Sequence, residues 1–226
     1  MELKFIGIGS AFSCTNNSAF FVFKNSLYMI DCSMLNMNKI KEFKFNEYDS
    51  INILVTHTHA DHISGIPNLI QYLYHLFDIK TNLIIPTSLI NDIITFNNIC
   101  GVNKEYYNIV DASKSNYPFL LDCIKTNHTT SLINGSYGYI FNLNNKIIVY
   151  TGDSKGIESF SKYINDCDEL YIDISYKEVS AHTTWSELKK NMPKSKKIYL
   201  MHIDNYEELK KEIKHYDNID IVNIYK

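Results

Sequence analysis

The sequence predicts a single α/β (α+β) domain, with strands outnumbering helices and stacked sheets covered on the outside by helices. Three observations carry this. Short apolar runs of strand length recur along the whole chain. Amphipathic runs of helical period are interspersed among them. The 226 residues contain no internal repeat, low-complexity tract or Pro/Gly/Ser linker, so one domain over 1–226 is expected, large enough for one sizeable core.

Taken in order, residues 2–8 alternate imperfectly and read as a strand before the loop Gly9-Ser10-Ala11-Phe12-Ser13. Ala19–Phe23 and Leu27–Cys32 are strands joined by the polar turn Lys24-Asn25-Ser26, a hairpin signal. Helix is expected over Met34–Phe43, and the apolar run Ile51-Asn52-Ile53-Leu54-Val55 is a buried strand. An amphipathic helix follows over 68–77, then a strand at Leu83–Ile85 and a helix opened by Pro86-Thr87-Ser88 before Leu89–Phe96. Strands return at 119–125, 137–143 and 146–151, the last two turning at Asn144-Asn145. The final third alternates helix and strand at 156–165, 169–174, 184–191, 197–202, 205–215 and 219–222.

The formal net charge of −3 offers no global attraction to nucleic acid or anionic membrane. No apolar run approaches a membrane span, and Met1-Glu2-Leu3-Lys4-Phe5 lacks the pattern of a signal peptide. The five cysteines are odd in number, widely spaced and without a CxxC, which points to buried free thiols in a reducing cytosol. A soluble cytoplasmic protein is expected.

The chemistry concentrates in Thr56-His57-Thr58-His59-Ala60-Asp61-His62, between the strand ending at Val55 and the helix from Asn68. In extended backbone His57 and His59 leave on one face, while Asp61 and His62 lie past the strand end and can aim at a second point. Imidazoles with a carboxylate suit a borderline metal such as Zn²⁺. Further polar residues close later strands: His128 after Lys125-Thr126-Asn127, Asp153 in Thr151-Gly152-Asp153-Ser154, and His202 after Tyr199-Leu200-Met201. Rigid elements hold such residues at the rim of a core. His182 lies in Ser180-Ala181-His182-Thr183-Thr184-Trp185, where Thr184 and Glu187 form a capping-box pattern, so a helix should begin just after it. Singly, each of these is also readable as an ordinary rim or loop residue. His75 and His215, in helical stretches without partner spacing, are read as structural.

The HxHxDH stretch, with later His, Asp and His at strand ends, resembles the metallo-β-lactamase fold superfamily. The resemblance runs from Phe5-Ile6-Gly7-Ile8-Gly9-Ser10-Ala11-Phe12 to His202 and implies an αββα sandwich. By position it implies His57, His59 and His128 as ligands of one metal, Asp61, His62 and His202 as ligands of a second, and Asp153 as the bridge. Two Zn²⁺ per chain are implied, with Mn²⁺ or another divalent transition metal as the alternative. Many relatives have glycine where this chain has Ser33, which leaves a local turn in question. Asp31, at a strand end, is either a partner orienting a ligand histidine or an ordinary carboxylate.

The additional His182, between the bridging Asp and the last ligand His, resembles the ribonuclease Z-like phosphodiesterase branch, where such a histidine assists the leaving oxygen or the phosphate. His182 and Asp61 are thus the candidate catalytic residues. Transfer-RNA 3′-processing relatives carry a long arm between the third-His motif and the bridging Asp. Here a hairpin already fills that interval. With the acidic charge, this favours a small nucleotide substrate over a large nucleic acid. The short length, missing arm and Gly-Ser-Ala-Phe opening resemble cyclic-nucleotide phosphodiesterases of the branch, phage anti-Pycsar enzymes included. Two alternatives stay open: a ribonuclease Z-type RNA endonuclease, and a metal-dependent protein that sequesters a nucleotide without cleaving it. Relatives in the branch are commonly dimers, so a homodimer through Leu69–Phe77 is expected, against a plain core helix as the other reading.

Overall fold

In the computed structural model, which describes residues 2–225, the strands sort into two six-stranded sheets. Each sheet belongs to one of two units of the chain. The first unit comprises the chain up to Gly7, Cys14–Ser115 and the segment from Ile224 on; the second comprises Ile8–Ser13 and Asn116–Asn223.

In the first unit the sheet runs β1 (Lys4–Gly7), β2 (Ser18–Phe23), β3 (Ser26–Ile30), β4 (Ile51–Leu54), β5 (Thr81–Ile85) and β6 (Tyr107–Asp111), in chain order. The first two pairings are antiparallel and the rest parallel. The β2–β3 turn needs positive φ at both central residues, and Lys24 and Asn25 have φ of 45° and 60°. Asn tolerates that conformation and Lys does so less readily, so β-strand pairing on either side holds the turn. All four residues of β4 are buried, as a strand parallel to both neighbours requires. Asn52 on β4 accepts from the Asn82 amide at 2.9 Å, and Asn82 accepts from Asn108 at 3.0 Å. That ladder of side chains fixes the register of β4, β5 and β6.

The helices of this unit are α1 (Met37–Ile40), α2 (Ala60–Ile63), α3 (Ile66–Phe77) and α4 (Ile90–Ile99). Pro67 sits in the first turn of α3, where its missing N–H costs nothing. Ile66, Leu69, Ile70 and Leu73 are buried at helical spacing, whereas Leu76 is 67% exposed. So α3 buries one face into its own unit and leaves Leu76 on the other.

The second unit orders its sheet β12-β11-β10-β9-β8-β7, from β7 (Leu120–Thr126), β8 (Ser136–Leu143), β9 (Lys146–Tyr150), β10 (Glu169–Asp173), β11 (Lys197–Met201) and β12 (Ile219–Ile221). Its β7–β8 and β8–β9 pairings are antiparallel and the rest parallel. The β8–β9 turn again has positive φ at both central residues, Asn144 (55°) and Asn145 (62°). β10 is buried along its whole length, and Ile172, Leu200, Trp185 and Leu209 join one core with α5 (Trp185–Lys190) and α6 (Tyr206–Glu212). The Ile8–Ser13 loop is fastened here, with Gly9 bridged to Ile203.

Several expectations need correction. The helix over Met34–Phe43 is a 3-10 turn at Met34–Asn36 and the one-turn α1, because buried Asn36 is committed to the backbone of Asn16. The helix over 156–165 is a 3-10 turn at Glu158–Phe160, since Gly156 (φ 79°) opens a turn and Phe160 is drawn fully into the core. β6 was not foreseen; its apolar signal is only Ile109-Val110 between polar residues. Of the cysteines, Cys32 and Cys167 are buried, and burial raises both thiols above their ordinary range. Cys14 and Cys100 are exposed, the one in a loop and the other capping α4, and Cys123 is half-buried on edge strand β7. None of the described helices is long and apolar enough to cross a membrane.

Candidate active site

Both units place most of their donor side chains just past the ends of strands. In the first, β3 ends into Asp31 and β4 into Thr56 and His57. Asp31 is fully buried with φ of 59°. Its carboxylate accepts from the Thr56 backbone N–H at 2.8 Å and the Thr56 hydroxyl at 2.7 Å, and lies 2.8 Å from His62 Nδ1. The Thr56 hydroxyl has one proton, given to Asp31, so across the 3.0 Å to His57 Nδ1 it must accept. This assigns the Nδ1–H tautomer to His57. The bond to Asp31 assigns the same to His62, and both rings present Nε2 as the donor atom.

His57 Nε2 and His59 Nδ1 lie 3.0 Å apart, a separation open to two nitrogens that share one ion at about 2.0–2.1 Å. His59 is the N-cap of α2, and that one-turn helix carries Asp61 and His62. Asp61 Oδ2 lies 3.2 Å from His62 Nε2. The turn left in question at Ser33 forms without glycine: Ser33 has extended backbone (φ −84°) and its hydroxyl caps Leu35. Glycine is required instead at Gly65, where a Cβ would stand 2.8 Å from the Ser33 backbone.

In the second unit Asp153 follows Gly152, whose φ of 60° turns the chain at the end of β9. The Asp153 carbonyl accepts from the Thr126 hydroxyl (2.9 Å) and the Ser136 hydroxyl (3.1 Å), which pin the residue to β7 and β8. Its Oδ2 lies 3.4 Å from His202 Nε2 and 3.8 Å from His128 Nε2. His128 Nδ1 meets the Ala181 carbonyl at 2.7 Å, so it carries the proton and Nε2 is again the donor atom. His202 closes β11 with φ of 51°, a strained setting for a side chain of its size. Asp153, Asp173, His182 and His202 each bring one donor atom into a group spanning no more than 4.8 Å. A carboxylate with imidazoles is a donor set fitted to a divalent transition metal.

Asp173 went unnoticed in the sequence. It ends β10 after an apolar run, the same signal that marks Asp153, and only the commonness of such carboxylates hid it. It is fully buried and 2.8 Å from His182 Nδ1. Burial pushes its carboxyl up to about 6, with the His182 hydrogen bond pulling the other way. The expected capping box is present at Thr184 and Glu187, but it opens a helix of only 6 residues. His182 answers chiefly to the carboxylates behind it, Asp173 and, at 3.9 Å, Asp153. His75 packs on Tyr106 at 5.1 Å and His215 lies in a 3-10 turn, apart from these donors.

Asp31→Asn isolates the orienting bond, because Asn tolerates the left-handed backbone while its amide no longer offers two acceptor oxygens to the three donors. The expected result is a loss of about 10–100-fold in metal affinity with the fold kept. Metal titration of the apoprotein checks it; an unchanged affinity would assign Asp31 to the fold alone.

Residues 1–224 match the family model described as "Anti-Pycsar protein Apyc1". An anti-Pycsar protein Apyc1 of Bacillus phage 010DV004 is 39% identical over 98 residues, covering 41% of this chain and 38% of that protein. One of Paenibacillus xerothermodurans is 25% identical over 229 residues, covering 91% and 88%. Among solved structures, the metallo-beta-lactamase fold protein YhfI of Bacillus subtilis superposes with a TM-score of 0.78 at 19% identity, over 99% of this chain and 95% of that one. That likeness establishes the metallo-β-lactamase fold. With the match over nearly its whole length, the chain belongs to the anti-Pycsar protein Apyc1 family.

Proposed function

We propose that the protein is a metal-dependent phosphodiesterase that hydrolyses a cyclic nucleotide and so removes a signal of antiphage defence. The observation that carries this is His182, held by buried Asp173 beside the carboxylate of Asp153. A protein that only sequestered a nucleotide would have no use for a proton donor so placed. In this reading His57, His59 and His128 would hold one ion and Asp61, His62 and His202 a second, with Asp153 shared between them, in one hydrolase domain over 1–226. The family match over 1–224 supports that extent. Zn²⁺ suits the donors best, and Mn²⁺ or another divalent transition metal is the alternative. Divalent ions so held supply a nucleophile at neutral pH and neutralise charge on the phosphoryl oxygens.

The rest is done by the chain. Asp31 and Thr56 keep His57 and His62 in the tautomer that offers Nε2. Asp173 holds His182 at Nδ1, so the proton for the leaving oxygen resides on Nε2. As the P–O bond of the ring breaks, that proton passes to the departing alkoxide and a nucleoside monophosphate results. The β8–β9 hairpin occupies the interval between His128 and Asp153, where tRNA-processing relatives carry their arm, and this supports a compact substrate.

Purified protein is expected to carry about two ions per chain and to turn over 3′,5′- or 2′,3′-cyclic nucleotides, with activity lost to a chelator and restored by metal. Tight nucleotide binding without turnover, metal present, would make it a sequestering protein; cleavage of tRNA precursors alone would make it an endonuclease.

His182→Ala should keep both ions and the fold while lowering cyclic-nucleotide turnover by roughly 10²–10⁴-fold. The loss should shrink for bis(p-nitrophenyl) phosphate, whose phenolate departs with little protonation. Equal loss on both substrates would assign His182 to holding phosphate instead.

We also propose a cytoplasmic homodimer, with the outer face of α3 around exposed Leu76 at the interface. Sedimentation should give a dimer at micromolar concentration and Leu76→Glu a monomer; a wild-type monomer would refute the assignment.

A further inference from the structure

We propose that Lys155 is a positioning residue that ties together three strand-end segments of the second unit, those after β7, β9 and β10, and thereby fixes His182 against Asp173. This rests on the phosphodiesterase reading above. Lys155 stands two residues after Asp153, yet its contacts reach the segments that carry His128 and His182. Its backbone N–H donates to the carbonyl of Asn127, the residue before His128. Its ammonium donates to the Val179 carbonyl at 3.1 Å and to the Glu187 carboxylate at 2.8 Å. Val179 and Glu187 flank the His182 segment on either side, so one ammonium grips that segment at both ends.

Glu187 is itself committed. It accepts from the Thr184 backbone N–H at 2.9 Å as the N3 member of the capping box that ends the segment. The Lys155 bond therefore acts on the carboxylate that sets where α5 begins. A second tie runs alongside. The Thr183 N–H and hydroxyl both donate to the Ser154 carbonyl at 2.8 Å, and the Gly156 N–H donates to the Thr183 hydroxyl at 3.1 Å. The residues on both sides of Lys155 thus hold the residue after His182. These ties hold Thr183, while the His182 ring keeps its own bond to Asp173.

A half-exposed Lys–Glu pair usually contributes little on its own, and a mere surface bridge would affect at most the melting temperature. Positioning predicts something else. Displacing a catalytic ring by a fraction of an ångström spoils proton transfer far more than it spoils the fold. The cavity of about 240 Å³ bordered by Asn127, Lys155, Thr183 and Glu187 has room for a guanidinium, which would renew both bonds.

The test compares Lys155→Met, Lys155→Arg and Glu187→Gln with wild type in the metal-loaded protein. Lys155→Met should lower kcat on cyclic nucleotide by about 10–100-fold at little change in KM, while metal content and turnover of bis(p-nitrophenyl) phosphate stay within about twofold. Lys155→Arg should recover most of the loss. Glu187→Gln, which retains the capping geometry, should share the defect and serves if Lys155→Met fails to fold. The His182 Nδ1–H proton, shifted downfield by its bond to Asp173, gives a readout independent of turnover and should broaden or vanish in Lys155→Met. A wild type inert toward cyclic nucleotides would defeat the functional reading and leave this resonance to decide the positioning role. An unchanged resonance, equal losses on both substrates, lost metal, or a shift in melting temperature alone would each overturn it.

Discussion

The first unit's contribution depends on one buried carboxylate. Asp31 has no exposed surface, so its charge has to be met by donors: two from Thr56 and one from His62. Strand pairing brings this about. β3 and β4 are parallel neighbours, so the residues just past their ends, Asp31 and Thr56, arrive side by side. The positive φ at Asp31 then turns the chain away so that the Cys32 N–H can reach the His62 carbonyl at 2.7 Å. A left-handed non-glycine residue of this kind costs about 1–3 kcal/mol, which the network it completes offsets. Two histidines are oriented by the same oxygen atom, one directly and one through a hydroxyl.

The second unit uses the same construction on different residues. β9, β10 and β11 run parallel, and their ends carry Asp153, Asp173 and His202 in neighbouring positions. Gly152 and His202 take positive φ at these ends, as Asp31 does in the other unit. Strain gathers where the strands stop because each chain must leave the sheet and still present a side chain inward. The buried hydroxyls of Thr126 and Ser136 and the half-buried Ala181 carbonyl fix the donors from behind. Every imidazole whose tautomer can be assigned is held at Nδ1.

How far this was legible in the sequence varied with the kind of signal. The motif from His57 to His62 declared itself because four donors crowd one junction, and the strand-end positions of His128, Asp153 and His202 followed from apolar runs of strand length. The two hairpins were readable from short polar turns. What stayed hidden were relations in three dimensions. Asp173 looks like any carboxylate closing a strand until β10 is known to lie beside β9. Asn36 reads as a helical residue, and only its bonds to Asn16 show why the chain there makes a 3-10 turn. The helix over 156–165 failed for a similar reason: its period was acceptable, but Gly156 and the burial of Phe160 dictate tight turns. Leu69–Phe77 reads as apolar on more than one face, and packing takes Leu69, Ile70 and Leu73 inward while leaving Leu76 outside.

The contrast between the two units bears on what each histidine is for. Asp31 binds a histidine that carries no surface at all; there its role is to hold a tautomer, and a neutral ring serves that best. Asp173 binds His182, whose side chain keeps 23% of its surface while the carboxylate keeps none. A carboxylate behind a partly exposed ring stabilises the protonated ring without closing it off from an incoming ligand. Burial works against the charge on Asp173 and the imidazolium works for it, so the proton on His182 and the charge on Asp173 support each other. The same pairing of Asp and His therefore occurs twice in one chain, and exposure of the imidazole separates the two. A ring sealed from substrate can only be oriented, whereas one at the rim can also give up a proton.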